Sequence, residues 1–338
     1  MLVGQGALAA RDEVTQLAEC LAAPVAKALL GKAVLADDSP YTTGGIGHLG
    51  TLPSQQALHE CDTVLILGST MPWVDFYPVP GQARGVQVDI NPARIGLRFP
   101  VELGLVGDVQ ATLRALLPML QRRQGRGFLT TSQARMQAWN ALLRRVTTTE
   151  RTPMRPQTAI AALGEALAPD AVISLDCGNN THFSARHLML KQGQRLTGTG
   201  LLATMAPGLS YAIAAALAYP GRQSVAIVGD GGFAMLMAEL STAVRYRLPF
   251  KVLILKNNSL AEVRFEQSDA GYRPFGVELG PIDFVAVAKA CGADGFHVET
   301  TSGLPVAIDA ALRSPNAAVI EVVVDPAEQA ELPDKLKA

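Results

Sequence analysis

The sequence predicts an α/β fold built from two open parallel-sheet domains. Short runs of Val, Ile and Leu are continuously apolar rather than alternating, as strands covered on both faces must be. These runs alternate with Ala- and Leu-rich segments of helical composition over most of the chain. At 338 residues the chain is also long for one domain, since roughly 100–200 residues per domain is usual.

In chain order, LVGQGALAA at the start reads as strand, turn and helix, with Gly4 and Gly6 in the turn. Runs 63–67 (TVLIL), 85–89 (GVQVD), 171–175 (AVISL), 224–228 (SVAIV), 251–255 (KVLIL) and 318–324 (AVIEVVV) read as buried strands. Helices are expected around 56–59, 111–120, 158–167, 233–246 and 284–291. The alternation breaks between about 122 and 155, where QRRQGRG, an amphipathic helix near 132–145 and the polar run TTTERTPMRP follow one another. That stretch reads as a linker between a first domain, 1–121, and a second, 156–325, with a polar tail at 326–338.

A net charge of −1 and few aromatic residues exclude a broad basic or base-stacking nucleic-acid surface, so no nucleic-acid partner is expected. Nearly half the residues are apolar, too many for a disordered chain. No apolar run approaches the ~20 residues that span a bilayer. No leader is apparent, and the four scattered cysteines suit small buried residues in a reducing, cytoplasmic setting better than a disulfide or zinc site.

The chemistry-bearing motif lies in the second domain. The 224–228 strand ends in Gly229-Asp230-Gly231-Gly232 and runs into a helix, which puts Asp230 where open α/β sheets bind ligands. The glycines let a phosphate approach the backbone, and the helix start offers free N–H groups. The 251–255 strand delivers Asn257-Asn258 to the same edge; a carboxylate and an amide carbonyl are hard oxygen ligands suited to Mg2+. Taken alone, GDGG reads equally well as a structural turn.

GDGG followed by the strand-edge Asn pair resembles the GDG…NN signature of thiamine-diphosphate enzymes. The resemblance implies thiamine diphosphate held through Mg2+, with Asp230, Asn257 and the Ser259 carbonyl as metal ligands. Lys256 stands where the family has a preceding Asn, a position that is not a ligand. Asp176, Gly178, Asn179 and Asn180 look like the family's D-x-G turn near the diphosphate. The run TGLLATMAPGL resembles the segment that supports the bent cofactor, with Ala203 and Thr204 beside Met205 at the position that wedges between its rings. Met205 reads otherwise as a core residue. Glu266 falls where related oxidases carry an active-site carboxylate, with a solvent-facing helix position as the competing reading.

The first domain is similar to the Rossmann-like middle domain of the pyruvate oxidase and acetolactate synthase family. The runs NPARIG, LVGDVQATLRALLP and TMPWVDFYP resemble the bacterial pyruvate:quinone dehydrogenase (pyruvate oxidase) branch. In that branch the middle domain binds FAD. The resemblance implies flavin contacts at Gly47, His48, Leu49, Gly68, Ser69, Thr70 and Met71, and adenosine contacts at Asp89 and Asp108. His48 reads also as a structural hydrogen-bonding residue in a Gly-rich loop.

The implied activity is decarboxylation of a 2-oxo acid, with pyruvate the leading substrate and an acetolactate synthase-like or sulfoacetaldehyde acetyltransferase-like carboligase the alternative. Ala261 and Glu262 replace a small Gly and an aromatic, which alters the expected pocket. The family's N-terminal pyrimidine-binding domain, with its cofactor-activating Glu, has no counterpart in the sequence. The expectation is therefore a homo-oligomer, or pairing with a pyrimidine-domain chain, and little activity from this polypeptide alone. A non-catalytic cofactor-binding or regulatory fragment is the remaining reading. The lipid-binding tail of quinone-linked members is not recognised either, so membrane association is not expected.

Overall fold

The computed structural model describes residues 1–200, 202–330 and 333, so most of the polar tail and Leu201 lie outside the described residues. The chain folds as two compact units. The first comprises Met1–Arg144 with Leu190–Gln192, and the second Arg145–Met189 with residues 193–330.

In the first unit β1 (Leu2–Val3) leads through a 3-10 turn to α1 (Arg11–Leu21), then β2 (Val25–Lys27) and β3 (Thr42–Gly45). Next come α2 (Leu52–Glu60), β4 (Thr63–Leu67), β5 (Arg84–Asp89), β6 (Leu103–Val106) and α3 (Val109–Leu116). All strand pairs are parallel, in the order β3-β2-β1-β4-β5-β6. The chain thus walks outward from β1 to β3 and restarts on the other side at β4, leaving a switch point between β1 and β4. Thr51 caps α2 by accepting Ser54 N–H (3.3 Å), and Asp108 caps α3 by accepting Ala111 N–H (2.9 Å).

A charged cluster is buried beneath this sheet. Lys27, fully buried, donates to Asp37 Oδ1 (2.6 Å) and the Leu35 carbonyl (2.9 Å), while Lys32 donates to Asp37 Oδ2 (2.7 Å). Burial pushes the Asp37 carboxyl up, but the two lysine charges and their hydrogen bonds bring it down to about 2.

The expected helix near 132–145 is the centre of α4 (Gly127–Thr148). Its Met136, Trp139 and Leu143 pack together with Leu52 of α2, and the chain as far as Arg144 belongs to the first unit.

The second unit runs α5 (Pro156–Ala166), β7 (Val172–Leu175), α6 (Asn179–His187), β8 (Arg195–Thr197) and α7 (Pro207–Ala218). It continues with β9 (Ser224–Gly229), α8 (Asp230–Leu236), α9 (Glu239–Arg245), β10 (Lys251–Lys256) and α10 (Ala261–Asp269). It closes with α11 (Phe284–Ala290), β11 (Asp294–Val298), α12 (Leu304–Arg313) and β12 (Ala318–Val323). Its sheet is again all parallel, in the order β11-β12-β10-β9-β7-β8, with the switch point between β7 and β9. The central strands β9 and β10 are buried along nearly their whole length, as their unbroken apolar runs require.

The helix expected over 233–246 is two helices. It starts earlier, at Asp230, and breaks at Met237-Ala238, where i→i+3 bonds (Leu240 N–H to Met237 O, 3.1 Å; Ser241 N–H to Ala238 O, 3.0 Å) replace the α-helical pattern.

A second network is centred on the buried Glu321. Glu321 on β12 accepts from Lys256 (3.1 Å) and from Phe284 N–H (3.0 Å), and lies 2.7 Å from His297 Nδ1. The four cysteines are half-buried and free rather than fully enclosed. Among the described residues no helix is long and apolar enough to cross a membrane.

Candidate functional site

The strand ends on either side of the β7–β9 switch point open on a solvent-facing cleft in the second unit. Three turns build it, each following a strand. Gly178, at φ +102°, starts α6 in a conformation that side-chain-bearing residues rarely adopt. Gly229 ends β9 and Asp230–Gly232 follow it directly, and Asn257–Ser259 follow β10.

Asp230, 4% exposed, is the hub of these turns. Its Oδ1 accepts Gly231 N–H (3.0 Å), and its Oδ2 accepts Asn257 N–H (3.1 Å) and Asn258 N–H (2.6 Å). Burial pushes its carboxyl above the usual range, and these backbone donors partly offset that. Asn257 turns its Oδ1 back to Ser259 N–H (3.0 Å), and Asn258 takes a left-handed φ of +52°. The Asp230 carboxylate and the Asn257-Ser259 turn are thereby held together, 27 positions apart in sequence.

Asp176 stands just beyond β7, 2% exposed, pressed between Gly208 and Gly232. A methyl group at Gly232 would overlap its Oδ2. Burial raises this carboxyl to about 6, although the N–H groups of Cys177, Gly208 and Ala206 draw it back. Neither of its oxygens completes a hydrogen bond of ordinary geometry. Asn179 Nδ2, Asn180 Oδ1, Ser259 Oγ and Glu262 Oε2, all on residues lining the cleft, are likewise buried without a partner. Buried polar atoms are nearly always satisfied, so these groups are free to meet a ligand or water.

Met205 is half-buried and lines the cleft beside Leu260 and Gly231. Ala203 and Thr204, just before it, are exposed, and Ala203 has φ +51°. Glu266 is exposed on α10 and does not line the cleft; Glu262, one turn earlier, does. Burial and the neighbouring Glu266 charge raise the Glu262 carboxyl to about 7. Its Oε1 lies 3.5 Å from His182 Nε2 on α6. Sequence reasoning did not single out His182, because it lies on α6 and meets Glu262 of α10 only through tertiary packing.

A carboxylate, an amide carbonyl and a main-chain carbonyl are hard oxygen donors of the kind Mg2+ takes, and the glycine-lined helix start suits a diphosphate. The orphaned polar atoms around these groups fit the same pairing of metal and anion.

In the first unit the residues expected to meet a flavin lie at the carboxyl ends of β3, β4, β5 and β6. Gly47, at φ +91°, is covered by Trp73, and His48 is exposed with its ring edge-on to Trp73 and Phe76. Leu49 and Met71 are buried; Met71 belongs to the core, and Ser69 Oγ accepts its N–H (3.3 Å). Thr70 is half-buried between them. Asp89 accepts Asn91 N–H (2.9 Å) and Asp108 caps α3, so both acids already serve turns. Around the β1–β4 switch point, backbone rides on backbone. A Cβ at Gly31 would lie 2.6 Å from the Val3 carbonyl, and one at Gly6 2.9 Å from Gly68 Cα.

Comparison with known proteins agrees with this architecture. Residues 1–116 match the family described as thiamine pyrophosphate enzyme, central domain. Residues 176–322 match the one described as thiamine pyrophosphate enzyme, C-terminal TPP binding domain. The chain is 38% identical over 336 residues to a putative thiamine pyrophosphate-containing protein, YdaP, of Bacillus subtilis, covering 99% of this chain and 58% of the relative. It is 32% identical over 304 residues to pyruvate oxidase of Lactiplantibacillus plantarum (89% of this chain, 50% of the relative). It is also 32% identical over 347 residues to the acetolactate synthase large subunit of Parasynechococcus marenigrum (96% and 54%). The chain spans about half the length of these relatives. On the two matched regions and these identities, the chain belongs to the thiamine pyrophosphate enzyme family, whose central and C-terminal domains it contains.

Proposed function

We propose that this chain holds the diphosphate end of thiamine diphosphate through Mg2+ in an enzyme that decarboxylates a 2-oxo acid. The observation that carries this reading is the convergence of Asp230, the Asn257-Ser259 turn and several unpartnered buried polar atoms on one cleft at the switch point. Asp230, the Asn257 side chain and the Ser259 carbonyl are the proposed metal ligands. Gly229, Gly231, Gly232, Gly178, Asn179 and Asn180 surround the diphosphate, Asp176 backs it, and Met205 supports the cofactor's bend. When bound, the cofactor supplies the carbanion that attacks the 2-oxo carbon and stores the electrons left by CO2. The chain's own residues hold its charge in place and keep the cleft walls apolar at Met205 and Leu260.

Calorimetry with thiamine diphosphate and Mg2+ tests the anchor. Wild type binds and Asp230→Ala does not; equal binding by both removes the basis of the reading. Pyruvate leads as substrate because one relative is named pyruvate oxidase. A carboligase is the second reading, favoured by the acetolactate synthase relative that covers 96% of this chain. Product analysis after incubation with pyruvate, with the chain assembled with a pyrimidine-domain partner, separates acetate from acetolactate. FAD in the first unit is proposed on the glycine-rich β1–β4 switch point, and a flavin absorbance band in purified protein tests it. Pairing with a second copy or a pyrimidine-domain chain in the cytoplasm belongs to the same reading; light scattering with and without cofactor tests it.

A further inference from the structure

The anchor leaves one acid of the cleft unexplained. Glu262 stands in the first turn of α10, on the cleft wall rather than at its glycine floor. Its two oxygens have different surroundings. Oε1 faces His182 Nε2 at 3.5 Å, whereas Oε2 is buried and has no partner. A buried carboxyl oxygen left without a partner costs about 1–3 kcal/mol, a cost that a ligand hydrogen bond would relieve. The titratable groups around it are Glu266 one turn along the same helix, Cys177 at the opening of α6, and His182 on α6. Cys177 is held in the thiol form by burial, by Asp176 and by these two glutamates, so it does not compete for the proton.

Resting on the 2-oxo acid reading, we infer that Glu262 and His182 are a proton-exchange pair, with Glu262 facing the substrate in the cleft and His182 returning protons from solvent. The His182 side chain is 24% exposed and that of Glu262 31%, so both reach water, while the Oε2 oxygen of Glu262 stays inside. The exchange is balanced without an oxidant: one proton leaves Glu262 for the substrate, and one enters from water through the His182 ring. Burial and the Glu266 charge hold the Glu262 proton up to neutral pH, where such a donor is useful.

NMR titration of the full chain, with labelled His ring nitrogens and Glu carboxyl carbons, tests the pair. In the cofactor-free protein the His182 midpoint falls by about 1 pH unit in Glu262→Gln, and the Glu262 midpoint moves in His182→Gln, because coupling between two sites is reciprocal. Midpoints that are the same in wild type and in either variant overturn the inference. Using two variants covers the case in which one fails to fold. Adding pyruvate to the chain loaded with thiamine diphosphate and Mg2+ shifts both wild-type midpoints, and midpoints that ignore pyruvate overturn the assignment to the substrate. Calorimetry on wild type reads the parent proposal separately. Intact cofactor binding with uncoupled titrations removes this inference alone, while no cofactor binding removes the 2-oxo acid reading and the substrate half of this one.

Discussion

The Asp176 carboxylate, at the end of β7, fills the space that a Cβ on Gly232 would need at the start of α8. Two turns of the cleft are thereby packed carboxylate against Cα. Gly232→Ala forces one of them to move, which costs about 1–3 kcal/mol by overpacking. Urea denaturation of the cofactor-free protein reads this loss. Gly231→Ala costs less, because its new methyl meets the flexible ends of Leu260 and Leu279, at 2.9 and 3.2 Å. Equal losses at the two positions would show that Asp176 is free to yield.

The Glu262 carboxyl, held up at about 7 by burial and by Glu266, sets a pH dependence. The unfolded chain releases this proton near pH 4 and the folded chain keeps it to about 7. Stability from this group is therefore full below about pH 4 and lost as pH rises through 7. Glu262→Gln removes the loss: relative to wild type it gains about 2 kcal/mol at pH 8, allowing for a side chain still partly in water, and nothing from this source at pH 4. Thermal melts of the cofactor-free protein at the two pH values measure it.

Asp37 makes the opposite case. The lysine pair holds its carboxyl at about 2, so its contribution is present above the unfolded range near 4 and disappears as pH falls through 2. Asp37→Asn leaves the fully buried Lys27 without its counter-charge and is expected to cost about 3–5 kcal/mol at pH 7. The exposed neighbour Asp38, changed to Asn, shifts stability by no more than about 0.5 kcal/mol. Chemical denaturation of the two variants side by side makes the comparison.

His297 is raised by its hydrogen bond to Glu299, against burial, and further by Glu321. Its stabilising contribution is complete below the unfolded histidine range near 6.5 and is lost as pH climbs through its folded value. His297→Gln therefore lowers the melting temperature by a few degrees at pH 5.5 and by less at pH 9. A loss independent of pH would mean that the ring acts by shape alone.

The strands that were legible in the sequence are the central ones. The runs at 63–67, 224–228 and 251–255 are apolar along their length because helices cover both faces of each sheet. The strands that were not legible, β2, β3, β6, β8 and β11, are three to five residues long and include Lys, Thr, Gly, Arg, Asp or His. At β6, Leu103 and Val106 are exposed at the sheet edge, so burial did not shape its sequence. In the site, Asp230 and Asn257 were readable because a strand end fixes where a turn points. Glu262 and His182 were not paired, because helices on different turns meet only through tertiary packing.

The backbone-on-backbone contacts of Gly4, Gly6, Gly31 and Gly68 in the first unit carry a consequence for how that end of the sheet can change. With no room for side chains there, anything the crevice reads must be read by peptide N–H and C=O groups. Their direction is set by the turns that follow β1, β2 and β4. Substitution can block such a surface but cannot retune it, so selectivity at this end has to come from the surrounding loops, such as the one carrying His48 and Trp73.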